Sequence, residues 1–194
     1  SYSAEERRVA LVIGNGAYNT APLRNPVNDA EDMARALRSV GFEVILKLNA
    51  DRRDMLLAIE EFGQKLVSSQ AALFFFSGHG MQIKGRTYIF PVRAAILQEI
   101  DVEVECVDVN RVLGRMEGPE SRVNIIVLDA CRNNPFARKF RSEARGLARM
   151  DAPKGTLLAF STDPGNVADD GTGRNSPYTA ALIQYLKVPG LGLE

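Results

Sequence analysis

The feature that most constrains this chain is an apolar run that turns polar all at once. Ala71-Ala72-Leu73-Phe74-Phe75-Phe76 gives way directly to Ser77-Gly78-His79-Gly80. An unbroken apolar stretch with three phenylalanines and no alternation predicts a strand buried on both faces, as in a parallel sheet between two helical layers. The strand is expected to end at Ser-Gly-His-Gly, which carries the only histidine of the protein. A second run, Val123-Asn124-Ile125-Ile126-Val127-Leu128, gives out into Asp129-Ala130-Cys131-Arg132. In open α/β sheets, ligands bind beyond the carboxyl ends of the strands. If these two strands are neighbours, an imidazole and a thiol meet across one crevice at that edge.

The rest of the chain supplies the sheet's partners. Val9–Ile13 predicts a first strand, closed by Gly14-Asn15-Gly16-Ala17-Tyr18. A dinucleotide fingerprint is rejected there, because Asn19 stands in place of the third glycine and the next helix begins too late. A plain strand-to-loop turn is expected. Asn25-Pro26 reads as a helix start, with the Asn25 side chain as cap and proline in the first turn. Ala30, Met33, Ala34, Leu37 and Val40 keep helical period until Gly41. Phe42–Leu48 is a second strand, and Asp51 caps a helix with Met55, Ile59, Phe62 and Leu66 inward. This β-α-β-α-β order implies parallel strands with right-handed crossovers. Beyond His79, Lys84-Gly85-Arg86 predicts a short hairpin. The acidic stretch from Glu99 to Asp108 leads into a helix with Val109, Val112, Leu113 and Met116 in phase. Thr156–Phe160 is a fifth core strand, and Ser176-Pro177 opens a last helix with Tyr178, Leu182 and Tyr185 inward.

The 194 residues suit a single α/β domain, with 1–7 and 187–194 read as flanking segments of a longer protein. Lys+Arg and Asp+Glu balance at 24 each, so composition points to neither nucleic acid nor an anionic membrane as partner. No apolar run approaches the roughly 18 residues of a membrane span. Two cysteines, Cys106 and Cys131, make neither a disulfide framework nor a metal-ligand cluster.

A thiol attacks a carbonyl as thiolate, and its ordinary pKa of about 8.5 leaves little of that form at neutral pH. A neighbouring histidine takes the proton and later returns it to the leaving amine. The oxyanion needs fixed N–H donors. Gly80 has no side chain to obstruct its amide, and Cys131 offers its own. Taken singly, His79 reads as a satisfied loop residue and Cys131 as a small buried hydrophobe, the reading kept for Cys106. Their pairing on two glycine-flanked strand ends favours chemistry.

Phe-Ser-Gly-His-Gly followed by Leu-Asp-Ala-Cys-Arg-Asn-Asn-Pro-Phe resembles the caspase-like cysteine peptidases, specifically their bacterial metacaspase-like branch. Positions 79 and 131, an interval of 52, fit the spacing of about 50 in caspase-type sequences. The resemblance runs from Arg8 to Leu186 and takes in Asn28-Asp29-Ala30 and Ser161-Thr162-Asp163-Pro164-Gly165. It implies a three-layer caspase-like (caspase/haemoglobinase) fold with a mostly parallel central sheet flanked by helices. It implies a His79/Cys131 dyad, with the Gly80 and Cys131 amides as oxyanion hole. Asp129 stands where true caspases carry glutamine, and Ala168-Asp169-Asp170 falls where they carry an arginine for an acidic P1 residue. In metacaspases, acids resembling Asp29 and Asp129, with Ser77 beside them, line a pocket for P1 arginine or lysine. A carboxylate grips a guanidinium bidentately and repels a P1 aspartate. For Asp29, a plain helix-dipole role in the first turn is the competing account.

The expectation is a thiol endopeptidase that cleaves peptides or proteins after Arg or Lys and needs no cofactor. Many metacaspases require calcium; Asp101, Glu103, Glu105 and Asp108 form no recognisable ligand pattern, and calcium is not predicted. The stretch 133–154, with Arg138, Lys139, Arg141, Arg145, Arg149 and Lys154, is a candidate for self-processing. Two alternatives stay open: a catalytically quiet caspase-like module that binds a peptide or protein partner, and a different cysteine enzyme, such as an acyltransferase, on the same sheet.

Overall fold

The computed structural model describes residues 6–118, 122–131, 150, 154–161 and 172–186, with Cys131 described through its backbone. Five strands run parallel in the order β2 (Phe42–Leu48), β1 (Arg8–Gly14), β3 (Ala71–Ile83), β6 (Val123–Cys131) and β7 (Thr156–Phe160). Two short strands, β4 (Arg86–Ile89) and β5 (Val107–Asp108), extend the sheet antiparallel from the far end of β3. The helices are α1 (Pro26–Ser39), α2 (Arg52–Lys65), α3 (Glu99–Glu105), α4 (Asn110–Met116) and α5 (Pro177–Leu186).

Because side chains alternate along a strand, the three phenylalanines of β3 serve two cores. Phe74 and Phe76 pack with Met55, Ile59 and Phe62 of α2 and with Val112 and Met116 of α4. Phe75 packs on the opposite face with Met33 and Leu37 of α1 and Ile183 of α5. All three are fully buried, each contributing roughly 2–3 kcal/mol of transfer free energy. The result is the expected three-layer α/β fold with a mostly parallel central sheet.

Four local expectations are corrected. First, β3 does not stop at Ser77 but runs on to Ile83, 13 residues in all from Ala71. The loss of apolar character marks a change of partner: β1 accompanies β3 as far as Ser77, and β4 pairs with it from Gly80 onward. The hairpin itself is present, with Lys84 at φ 49° and Gly85 at φ 79°, the left-handed pair that a two-residue turn requires. Second, Asn25 lies in helical conformation and its side chain makes no cap bond; its carbonyl accepts from the Asp29 amide at 2.8 Å. Asp51 does cap α2, accepting from the Asp54 amide at 2.9 Å. Third, much of the acidic stretch is itself helical. α3 opens on a reciprocal box between Gln98 and Asp101, so Asp101 serves as a cap. Asp108 accepts from Arg86 and from the Asn110 amide. Fourth, Tyr185 is 67% exposed, and α5 turns Thr179 and Ile183 inward instead. The cause is the fastening of Ser176 and Thr179 to buried acids, which sets the rotation of the helix.

Candidate active site

The ladder between β3 and β6 answers the question left by the two apolar runs. The strands are direct neighbours, with Ser77 opposite Asp129 and His79 opposite Cys131, the last residue of β6. The backbones that carry the histidine and the cysteine are therefore brought together at the carboxyl edge of the sheet.

His79 is buried, and its Nε2 lies 2.7 Å from the Ala21 carbonyl oxygen. A carbonyl only accepts, so Nε2 carries the proton and Nδ1 is left as the basic nitrogen of the neutral ring. Ala21 sits at φ 53°, a left-handed conformation that costs an alanine roughly 1 kcal/mol. Strain thus resides in the residue whose carbonyl meets the imidazole. The Tyr18 ring lies against the imidazole at 4.5 Å between centroids, and Phe90 meets it edge-on at 6.4 Å. The His79 amide donates to the Tyr18 hydroxyl, and the Phe90 amide donates to the His79 carbonyl, both at 3.0 Å. Both bonds lie on the β1/β4 side of β3. Successive peptide units of a strand face opposite edges, so the Gly80 amide is directed toward the β6 side, where the Cys131 backbone stands.

A second polar cluster lies one step back along the same strands. Asp29 in the first turn of α1, Ser77 of β3 and Asp129 of β6 are brought together, all buried. The Ser77 hydroxyl donates to Asp29 at 3.0 Å, and the Ser176 amide donates to the other oxygen of Asp29 at 2.9 Å. Asp129 accepts from the Ser176 hydroxyl, and from the Thr179 hydroxyl at 2.6 Å. The Thr179 amide donates to Ser176 Oγ at 3.1 Å, so Ser176 caps α5 and binds the acid with the same oxygen. Burial pushes the Asp29 carboxyl up to about 6, and the nearby charge of Asp129 adds to the rise; bonds from Ser176, Ser77 and Asn175 offset part of it. Burial and the Asp129 charge also raise the Tyr178 phenol. Arg174, which precedes the Asn175 and Ser176 of this cluster, is engaged bidentately by Asp32 at 2.8 and 3.1 Å. Among the described residues, no lysine or arginine forms an ion pair with Asp29.

Asp169, Asp170 and most of the stretch 133–154 lie outside the described residues. Four residues at the site escaped the sequence reading: Tyr18, Ala21, Ser176 and Thr179. Ser-x-x-Thr at a helix start is legible as a cap, although the acid it binds is not. Tyr18 leaves an indirect trace at Gly78, where a Cβ would fall 2.6 Å from the Tyr18 hydroxyl oxygen.

A mostly parallel sheet between two helical layers is the architecture of a caspase-like domain, and here a histidine and a cysteine stand in register at its carboxyl edge. The Caspase domain family matches residues 7–194, and the chain belongs to it. It is also similar to mucosa-associated lymphoid tissue lymphoma translocation protein 1 of Homo sapiens and to the Mus musculus homolog of that protein. Each is 31% identical over 126 residues, which is 64% of this chain and 15% of the relative. The chain thus spans well under a quarter of the length of these relatives.

Proposed function

We propose that the protein is a cysteine endopeptidase that cleaves after arginine or lysine, with His79 and Cys131 as its dyad. The observation that carries this reading is the register of β3 and β6, which sets the two residues opposite each other. In the mechanism, Nδ1 of His79 takes the thiol proton as sulfur attacks the scissile carbonyl carbon. The Gly80 and Cys131 amides hold the oxyanion. Collapse breaks the C–N bond, and the imidazolium gives its proton to the departing amine. Water, deprotonated by His79, then hydrolyses the thioester and regenerates the thiol.

The acid cluster supplies the P1 preference. Burial and the charge of Asp129 both disfavour the ionised form of Asp29, and a cation at this cluster would favour it. A P1 guanidinium or ammonium supplies that cation, with Asp129 and Asp29 as its acceptors and Ser77 orienting Asp29. Asp169 and Asp170 are proposed as further acids of the same pocket. No calcium role is assigned to any residue. In the stretch 133–154, the basic residues are chemically eligible P1 sites, and self-processing there is part of the proposal.

The test is turnover of short fluorogenic peptides ending in Arg, Lys, Asp or a neutral residue, with and without calcium, by wild type and Cys131→Ala. Cleavage after Arg and Lys by wild type alone is expected. Wild-type protein that binds an Arg peptide without cutting it would establish the quiet binding module instead. Fragment masses from the same two incubations report on self-processing: cuts after basic residues of 133–154 in the wild type alone support it.

A further inference from the structure

We propose that Tyr18 is a positioning residue for His79, its hydroxyl and ring fixing the strand and the imidazole for proton transfer. This rests on the dyad reading above and adds a residue to it.

The argument begins with a gap in the sheet. β1 ends at Gly14, opposite Ser77, and the last main-chain bond from the β1 segment runs from the Asn15 amide to the Ser77 carbonyl at 2.9 Å. β4 begins to pair with β3 at Gly80. His79 falls between the two partners, at the point where β3 passes from one to the other. The Tyr18 hydroxyl fills this gap. It accepts from the His79 amide and donates to the Phe90 carbonyl, each at 3.0 Å. Phe90 in turn donates its amide to the His79 carbonyl at 3.0 Å. One phenol oxygen thus stands in for a missing strand and locks His79 to the end of β4.

The surroundings are built to admit that oxygen. A Cβ on residue 78 would lie 2.6 Å from the hydroxyl and 2.7 Å from the Phe76 ring, so a glycine is needed there. Asn15 is fully buried and donates to the same Phe90 carbonyl at 3.0 Å, holding the acceptor in place. The Tyr18 ring then covers the imidazole, tilted at 44°. Tyr18 shares its loop with Ala21. That loop is drawn tight by bonds from the Tyr18 and Leu23 amides to the Gly16 carbonyl, at 2.8 and 2.9 Å. Fixing Tyr18 against β3 therefore also fixes the carbonyl that selects the Nε2–H tautomer. Without the hydroxyl, the loop loses this tie to β3, and the hold on the ring's orientation and tautomer is weakened.

Because His79 is the only histidine, nitrogen NMR on protein labelled with ¹⁵N-histidine, carrying no polyhistidine tag, reads one imidazole without assignment. Wild type is expected to show the Nε2–H tautomer. Tyr18→Phe keeps the ring and removes the hydroxyl. It should bring up the Nδ1–H form and lower kcat about 10-fold or more, with KM within about threefold, as a misplaced catalytic group does. If Tyr18→Phe fails to fold, difluorotyrosine at position 18 serves, since it retains the hydroxyl but weakens it as an acceptor; it should move both readouts the same way. A wild-type tautomer in the variant, or a tautomer change with unaltered kcat, overturns the proposal. Should the wild type cleave no peptide, the dyad reading fails, and the NMR comparison alone decides whether Tyr18 positions the ring.

Discussion

Two buried polar clusters share the carboxyl edge of this sheet, two residues apart along β3, and they are built on opposite principles. His79 is held by neutral groups: a backbone carbonyl, a phenol hydroxyl and a main-chain amide. Such contacts fix direction, and they define which ring nitrogen holds the proton. Around Ser77 the cluster is built on two carboxylates, Asp29 and Asp129, and burial together with the Asp129 charge drives Asp29 away from its charged state. Hydroxyls and an amide from α5 temper that strain. One cluster stores geometry and the other stores charge. In the proposed peptidase the first serves the bond and the second the residue beside it.

Substitutions should separate the two. The largest effect is expected at the geometric cluster, where His79→Ala removes the base and should lower kcat by about 10³-fold or more for every peptide, whatever its P1 residue. Steady-state kinetics on Arg and neutral substrates checks this; a loss confined to Arg peptides would place His79 in recognition. Asp129→Asn should do the reverse. It should cost roughly 2–3 kcal/mol in kcat/KM for Arg peptides, about 30- to 160-fold, and leave neutral P1 peptides within a few-fold. Equal loss on both substrates would mean that Asp129 supports the fold around Cys131 and does not read P1. Thr179→Val keeps the shape but takes one donor from Asp129, and should lower folding stability by about 1.5–3 kcal/mol in denaturant titration. No change there would mean that another donor replaces the hydroxyl.

The division also explains what could be read from residues alone. The apolar runs of β1, β3 and β6 announce buried parallel strands because burial on both faces leaves no room for alternation. His79 and Cys131 stand out because polar residues break those runs where α/β sheets bind ligands. Asp29 and Asp129 were reached through family resemblance, and the structure brings them together. The supports were not legible, since they depend on closure over long separations: Ser176 meets Asp29 across 147 positions and Tyr18 meets His79 across 61. Gly-Asn-Gly-Ala-Tyr reads as a turn, and only the sheet shows that β1 stops two residues short of its neighbour's histidine. The same tertiary demand overrode local pattern in α5, where anchoring Ser176 and Thr179 turned Tyr185 outward.

The last effect is a slope with pH, and its first reading needs no substrate. The Asp29 carboxyl ordinarily titrates at 3.8 and is raised to about 6 in the folded protein. Between those values the folded protein holds a proton that the unfolded chain has released, so stability falls as pH rises from about 4 to about 6. Below pH 4 both states are protonated and no penalty applies. Above pH 6 both are ionised and the penalty is complete, on the order of 3 kcal/mol from the shift and less after relaxation. Asp29→Asn carries no proton to lose. Subtracting its stability from that of wild type at each pH, by urea denaturation, should leave a fall confined to pH 4–6 with flat arms on either side. An Arg-ended peptide bound to Cys131→Ala should shrink that fall, because a guanidinium favours the ionised acid; an Asp-ended peptide should not. Parallel curves for wild type and Asp29→Asn would show that Asp29 keeps an ordinary acidity. The cluster would then be a hydrogen-bonded anchor for α5, and the contrast between a geometric and a charged half of the site would be lost.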